Sequence, residues 1–198
     1  MFTIKQPSEI IFGKNSALKY DFPKKSLLIT SSGAEKRDWF SNVNLDTNLI
    51  FNHVESNPSI ETTNNIIKKF ESYDFSTVVG LGGGSVLDVA KYVGYKLKKS
   101  KILVPTNFGS GSEVTRISVL KVDGKKKSFH NDELFADMIA RAVDNEPQMV
   151  ASTYVALGLR LYRSALPKNE YERLLKTFFE MAKDIQPFQE GLIKETLH

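Results

Sequence analysis

The sequence predicts an α/β fold, a parallel sheet covered by helices on both faces, followed by a short C-terminal helical segment. Three observations carry that expectation. Short apolar runs alternate with stretches of helical spacing from Leu27 to Val104. The runs are rich in branched residues and nearly continuous in hydrophobicity, the pattern of strands buried on both faces. Glycine-rich stretches stand where strands should pass into helices. Such alternation builds parallel sheets with right-handed crossovers.

Each element follows in order. Phe2 to Ile4 and Ile10 to Phe12 are apolar stretches split by Pro7 and Ser8, and they read as a small edge hairpin. Leu27 to Thr30 is a buried strand ending in Ser31, Ser32 and Gly33, and Ala34 to Phe40 can be helical. Leu49 to Val54 is the next strand. Ser59 is placed to cap a helix that carries Ile66, Ile67 and Phe70 on one face. Thr77 to Leu81 is a β-branched run that stops at Gly82, after which Val86, Val89, Ala90, Val93 and Leu97 keep helical spacing. Ile102 to Val104 closes the series and Pro105 ends it. Val114 to Val122 reads as a strand, with Asp123-Gly124 as a hairpin turn because both residues tolerate positive φ.

From about Pro147 the pattern is helical, which divides the chain into an α/β domain over 1–146 and a helical segment over 147–198. Tyr171, Leu174, Leu175, Phe178, Phe179, Ala182 and Ile185 share one helix face. Asn169 with Glu172 resembles a capping box, and Pro187 ends the helix. The apolar stripe needs a partner surface in this chain or in a second copy, and a homodimer is the expectation.

Composition narrows the classes. A length of 198 residues suits one ordinary domain with a short appendage, and 41% hydrophobic residues exclude wholesale disorder. With no cysteine there is no disulfide, thiolate metal site or cysteine nucleophile. The net charge of +4 is small and both signs are interspersed. Lys125, Lys126 and Lys127 form the one basic run of note and read as a solvated loop, so no nucleic-acid partner is expected. The opening MFTIKQPSEIIF lacks the apolar stretch of a signal peptide and nothing later approaches a membrane span, so a cytoplasmic protein is expected.

Two stretches carry chemistry. In VVGLGGGSVLDVAK, Val78 to Lys91, glycines 82, 83 and 84 stand between a strand and a helix, where bare backbone can approach an anion and N–H groups converge on it. Ser85 adds a hydroxyl and is a candidate N-cap. Consecutive glycines depart from the G-x-G-x-x-G dinucleotide fingerprint, so this stretch alone leaves a tight turn equally open. In VPTNFGSGSEVT, Val104 to Thr115, Thr106, Asn107, Ser110, Ser112 and Thr115 supply polar groups around Gly109 and Gly111. In a parallel sheet both loops leave the carboxyl ends of their strands, where ligands bind.

GGGSVLDVAK and PTNFGSGSEVT together resemble the two signature motifs of the iron-containing (group III) alcohol dehydrogenase family, whose fold is Rossmann-like and related to dehydroquinate synthase. Phe12-Gly13 and Asn57-Pro58 fit the same pattern, and the resemblance covers roughly 1–140. It implies that Gly82, Gly83, Gly84 and Ser85 hold a dinucleotide pyrophosphate. Asp88 would lie near the nicotinamide, and Thr106, Asn107 and Ser110 would line the adenosine and ribose. For Lys91 a structural ion pair and a role in the site stay open. The strand-end position where NAD-preferring relatives carry Asp looks like Ser31, with Lys36 and Arg37 nearby. Removing that negative charge makes NADP acceptable, with a slight lean over NAD.

The same resemblance implies Fe²⁺ or Zn²⁺ held by one Asp and three His, two of them on a helix matched by Ala151 to Ala165. Aligned on Thr153, the ligand positions hold Ala156 and Arg160, and a shift of one gives Val155 and Leu159. Neither register supplies a ligand. The three histidines are His53, His130 and His198. His130 with Asp132 and Glu133 is the one candidate cluster and reads better as a charged loop. The chain therefore looks like the cofactor-binding half of the family with a remnant of its metal-binding domain. Two functions stay open: NAD(P)-dependent hydride transfer to or from an alcohol or aldehyde, or a catalytically inactive dinucleotide-binding module. Asp88 and Arg160 are the candidate catalytic residues, the latter as an oxyanion holder or simply a solvated helix face.

Overall fold

Every residue of two runs, Ser26–Thr30 and Thr77–Gly82, is buried. Only strands covered on both faces place all their side chains out of water. They are β2 and β4 of a computed structural model that describes residues 7, 9–11, 16–107, 110–136, 138–140, 155, 158–159, 162–163 and 165–183. The remaining strands are β1 (Glu9–Ile11), β3 (Leu49–Phe51), β5 (Ser100–Pro105), β6 (Ile117–Val122), β7 (Lys125–His130) and β8 (Met138–Ala140). Six of them form one parallel sheet in the order β1-β8-β5-β4-β2-β3, and β6 and β7 form a separate hairpin. The helices are α1 (Ser16–Lys19), α2 (Gly33–Lys36), α3 (Ile60–Phe70), α4 (Gly84–Leu97) and α5 (Lys168–Ala182).

Leu28, Val79, Leu81, Ile102 and Val104 point to one face of the sheet, where Ala17, Phe22 and Val43 close over them. On the other face α4 presses close to β4: a Cβ on Gly80 would lie 2.6 Å from the Ala90 Cβ. The register pairs Thr30 with Leu81 and Gly82 with Pro105, so β2, β4 and β5 end on one edge. Ser59 caps α3 as expected, its hydroxyl accepting from the Thr62 N–H at 3.1 Å. The Glu55 carboxylate reinforces the turn by accepting from the Ser59 N–H at 3.0 Å and the Thr62 hydroxyl at 2.8 Å.

Several expectations are corrected. Ile10 and Ile11 belong to the edge of the main sheet, paired in parallel with β8, rather than to an N-terminal hairpin; Phe2 to Ile4 lie outside the described residues. Strand β8 was not expected, since its three residues show no readable period. The helical stretch after Ser31 is cut short at Asp38, whose left-handed φ of 51° leads into a 3-10 turn, Trp39–Asn42. Likewise Ser112–Val114 is a 3-10 turn, and the strand starts only at Ile117. The lysine run is no loop: Lys125, Lys126 and Lys127 open β7, with their side chains exposed. Asp123 (φ 50°) and Gly124 (φ 75°) make the expected two-residue hairpin turn.

The chain divides into two compact units, Met1–Tyr154 and Val155–His198. In the second, Tyr162 and Phe178 rings lie 5.8 Å apart and the Arg163 guanidinium sits 5.8 Å over Tyr171. Helix α5 starts at Lys168 with Pro167 as its N-cap, so Asn169 lies within the first turn and makes no capping box. Proline, already lacking its N–H and fixed near helical φ, suits such a start. Phe178, Phe179 and Met181 remain exposed, while Ile185 and Pro187 fall outside the described residues. Among the described residues no helix is long and apolar enough to cross a membrane.

Candidate cofactor site

Where β4 gives way to α4, Gly83 is the N-cap and offers no side chain to the helix start. Its carbonyl accepts from the N–H groups of Val86 at 2.9 Å and Leu87 at 3.1 Å. The N–H groups of Gly84 and Ser85 precede the first helical hydrogen bond and have no acceptor within the helix. Together with the helix dipole they form a donor set for an anion at the carboxyl edge of the sheet.

Space, rather than backbone freedom, demands the three glycines, for none of them has a positive φ. A Cβ on Gly82 would lie 2.8 Å from the Val86 Cβ. One on Gly83 would lie 3.0 Å from Asn107 Oδ1, and one on Gly84 2.8 Å from Ser110 Oγ. The second loop thus rests directly on the first. The Thr106 N–H donates to the Gly82 carbonyl at 3.0 Å, and the Ser112 N–H to Ser110 Oγ at 3.2 Å. Gly111 does need its freedom, since its φ is 66° where the chain turns back under Ser110.

Ser85 is the second residue of α4 and not its cap. Its hydroxyl accepts from the Asn57 N–H at 3.4 Å, joining a third loop to the site. Asn57 has φ 53°, a conformation asparagine tolerates, and the Asn-Pro pair was its only mark in the sequence. Asp88 is buried beneath the second loop, where Oδ1 accepts from the Ser112 hydroxyl at 2.5 Å and pairs with Lys91 Nζ at 3.0 Å. The Lys91 side chain is fully buried and donates to the carbonyls of Ser112 at 2.8 Å, Thr115 at 3.4 Å and Ile117. Burial pulls the Lys91 ammonium below its ordinary pKa, against the pull of Asp88 and then Glu113 in the opposite direction. Of the two readings left open for Lys91, the geometry gives the structural ion pair.

Ser31 leaves β2 on the same sheet edge, half-buried, and its carbonyl accepts from the Ala34 N–H at 3.0 Å. Lys36 is exposed, and the Arg37 guanidinium stacks 4.2 Å over the Trp39 ring. The structure therefore brings Gly82, Gly83, Gly84, Ser85, Asn107 and Ser110 together, anchors Thr106 beside them and sets Asp88 below. Uncapped donors, a bare glycine turn and flanking hydroxyl and amide groups fit a pyrophosphate.

The residues described do not fit the family's metal. Among them no group of three or more His, Asp or Glu side chains could hold an ion. Asp132 pairs with Arg116 at 2.7 Å, and His130 lies exposed on β7. His53 is exposed, edge-on to Phe51. Val155 and Leu159 are helical, whereas Ala156, Arg160 and His198 lie outside the described residues.

Comparison with known proteins agrees with this geometry. The family model for iron-containing alcohol dehydrogenases matches residues 7–141. The 4-hydroxybutyrate dehydrogenase of Clostridium kluyveri is 41% identical over 97 residues, 40% of this chain and 26% of that protein. An alcohol dehydrogenase of Thermococcus barophilus is 29% identical over 158 residues, 66% of this chain and 42% of that protein. The sulfoacetaldehyde reductase of Bifidobacterium kashiwanohense, solved in complex with NAD⁺, shares the fold with a TM-score of 0.62 at 22% identity, over 77% of this chain and 50% of that one. The chain thus spans half or less of the length of each of these three relatives. With 135 of its residues under the family model and its two glycine-rich loops interlocked at one sheet edge, the chain belongs to the iron-containing alcohol dehydrogenase family.

Proposed function

We propose that this chain binds NAD(P) and serves hydride transfer between the nicotinamide and an alcohol or aldehyde. The observation that carries the reading is the uncapped start of α4, roofed by Asn107 and Ser110 from the next strand end. When bound, the nicotinamide would supply the hydride acceptor or donor. The chain's own part is to bind and orient: N–H groups of Gly84 and Ser85 toward the pyrophosphate with Ser110 over that turn, and Thr106 and Asn107 toward the adenosine side. Asp88 keeps the second loop in place through Ser112. Calorimetric titration with NAD⁺ and NADP⁺ tests the reading, and failure to bind either would sink it.

For the choice of cofactor we favour NADP slightly. Ser31 puts no negative charge at the β2 end, and Arg37, held over Trp39, together with Lys36 offers positive charge close by. A Ser31→Asp variant should lose NADP⁺ affinity while keeping NAD⁺, and equal effects on both would count against this assignment.

A second reading, dinucleotide binding without turnover, is favoured by the sequence, which has Ala156 and Arg160, or Val155 and Leu159, where the resembled family motif has Asp and His. Steady oxidation of NAD(P)H by an aldehyde panel, abolished by Gly83→Asp, would refute it. The apolar face of α5 supports self-association as a homodimer.

A further inference from the structure

Gly84, Asp88 and Lys91 fall at i, i+4 and i+7 of α4 and so share one face. Along that face lies the segment from Ser110 to Ser118. Ser110 stands over Gly84, and the Ser112 hydroxyl reaches Asp88. The carbonyls of Ser112, Thr115 and Ile117 converge on the Lys91 ammonium. Ser118 adds a hydrogen bond from its hydroxyl to the Asp88 carbonyl at 2.8 Å. The adjoining side of the helix carries Val86 and Ala90, which meet Gly82 and Gly80 of β4. Sheet contact and loop contact are thus divided between two faces of one helix.

A buried ammonium is tolerated only when its protons are all placed, and Lys91 has four acceptors for three. An apolar side chain would fill the same space without desolvating a charge. What the charge adds is a meeting point for three carbonyls that no regular secondary structure gathers. Ser112 shows the effect most fully. Its carbonyl is held by Lys91, its hydroxyl by Asp88 and its N–H by Ser110 Oγ. Tension on Ser112 passes directly to the hydroxyl that roofs Gly84.

Building on the cofactor reading, we propose that Lys91 is a positioning residue of the pyrophosphate cradle. Its buried ammonium ties the Ser112–Ile117 segment to α4 and thereby holds Ser110 over the helix start. Lys91 touches no ligand, and its effect is confined to the part of the cofactor that lies over that turn.

The test compares NADP⁺, ADP and adenosine binding to the full chain and its variants by calorimetry or equilibrium dialysis. Lys91→Met should weaken ADP and NADP⁺ by about tenfold or more, the scale of a displaced binding group, and leave adenosine within about twofold. Lys91→Gln, which can still donate to two carbonyls, should fall between. Unchanged ADP binding overturns the proposal, and so does equal weakening of all three ligands, the mark of a general loss of packing. Loss of native circular dichroism in both variants makes Lys91 a folding residue and overturns it as well. If the unaltered chain binds none of NAD⁺, NADP⁺ and ADP, the cofactor reading itself fails and takes this proposal with it.

Discussion

A Cβ on Gly84 has nowhere to go but into Ser110 Oγ, 2.8 Å away. Gly84→Ala should therefore push the second loop outward and weaken NAD(P) binding about tenfold, or about 1.4 kcal/mol, by calorimetry. Gly111→Ala acts through the backbone instead. At φ 66° an alanine costs about 1–2 kcal/mol, which urea unfolding should read as a lowered midpoint with unchanged slope. Glu55 gives a pH signature. Partial burial raises its pKa, but the hydrogen bonds from Ser59 and Thr62 outweigh that and hold it below the ordinary carboxylate value. Its contribution is full above the unfolded value of about 4.3 and is lost as pH falls through the native one. Stability measured from about pH 5 down to pH 3 should fall less steeply in Glu55→Gln than in the unaltered chain.

Among the elements, the cap of α3 rests on one hydroxyl, and Ser59→Ala should cost about 1 kcal/mol in thermal or urea unfolding. The parts legible in the sequence were those with a strong local cause. Strands β2 and β4 announced themselves by unbroken apolar content, and the β6–β7 turn by Asp123-Gly124. Strand β8 could not be read, because three residues whose pairing lies far away in the chain leave no period. Asp38, ending a helix on a left-handed turn, was hidden for the opposite reason: its neighbours still looked helical. At the site, Gly82, Gly83, Gly84, Asn107 and Ser110 were legible as polar or bare residues at strand ends. The Lys91 clasp was not, since it depends on backbone carbonyls that carry no residue signature.

For the molecule as a whole, the second unit carries an apolar face with Phe179 70% and Met181 61% exposed. If that face joins two copies, light scattering after size exclusion should give twice the monomer mass, and Phe179→Glu should return it to one. A monomer at high concentration in the unaltered chain would contradict the homodimer. The first unit holds a constraint of another kind. Ser110 occupies the volume that a side chain at position 84 would need. The two positions are therefore coupled, and in urea unfolding Gly84→Ala paired with Ser110→Gly should cost less than the sum of the two changes made singly. Two loops distant along the chain thus share one volume, and a change in either is felt in both.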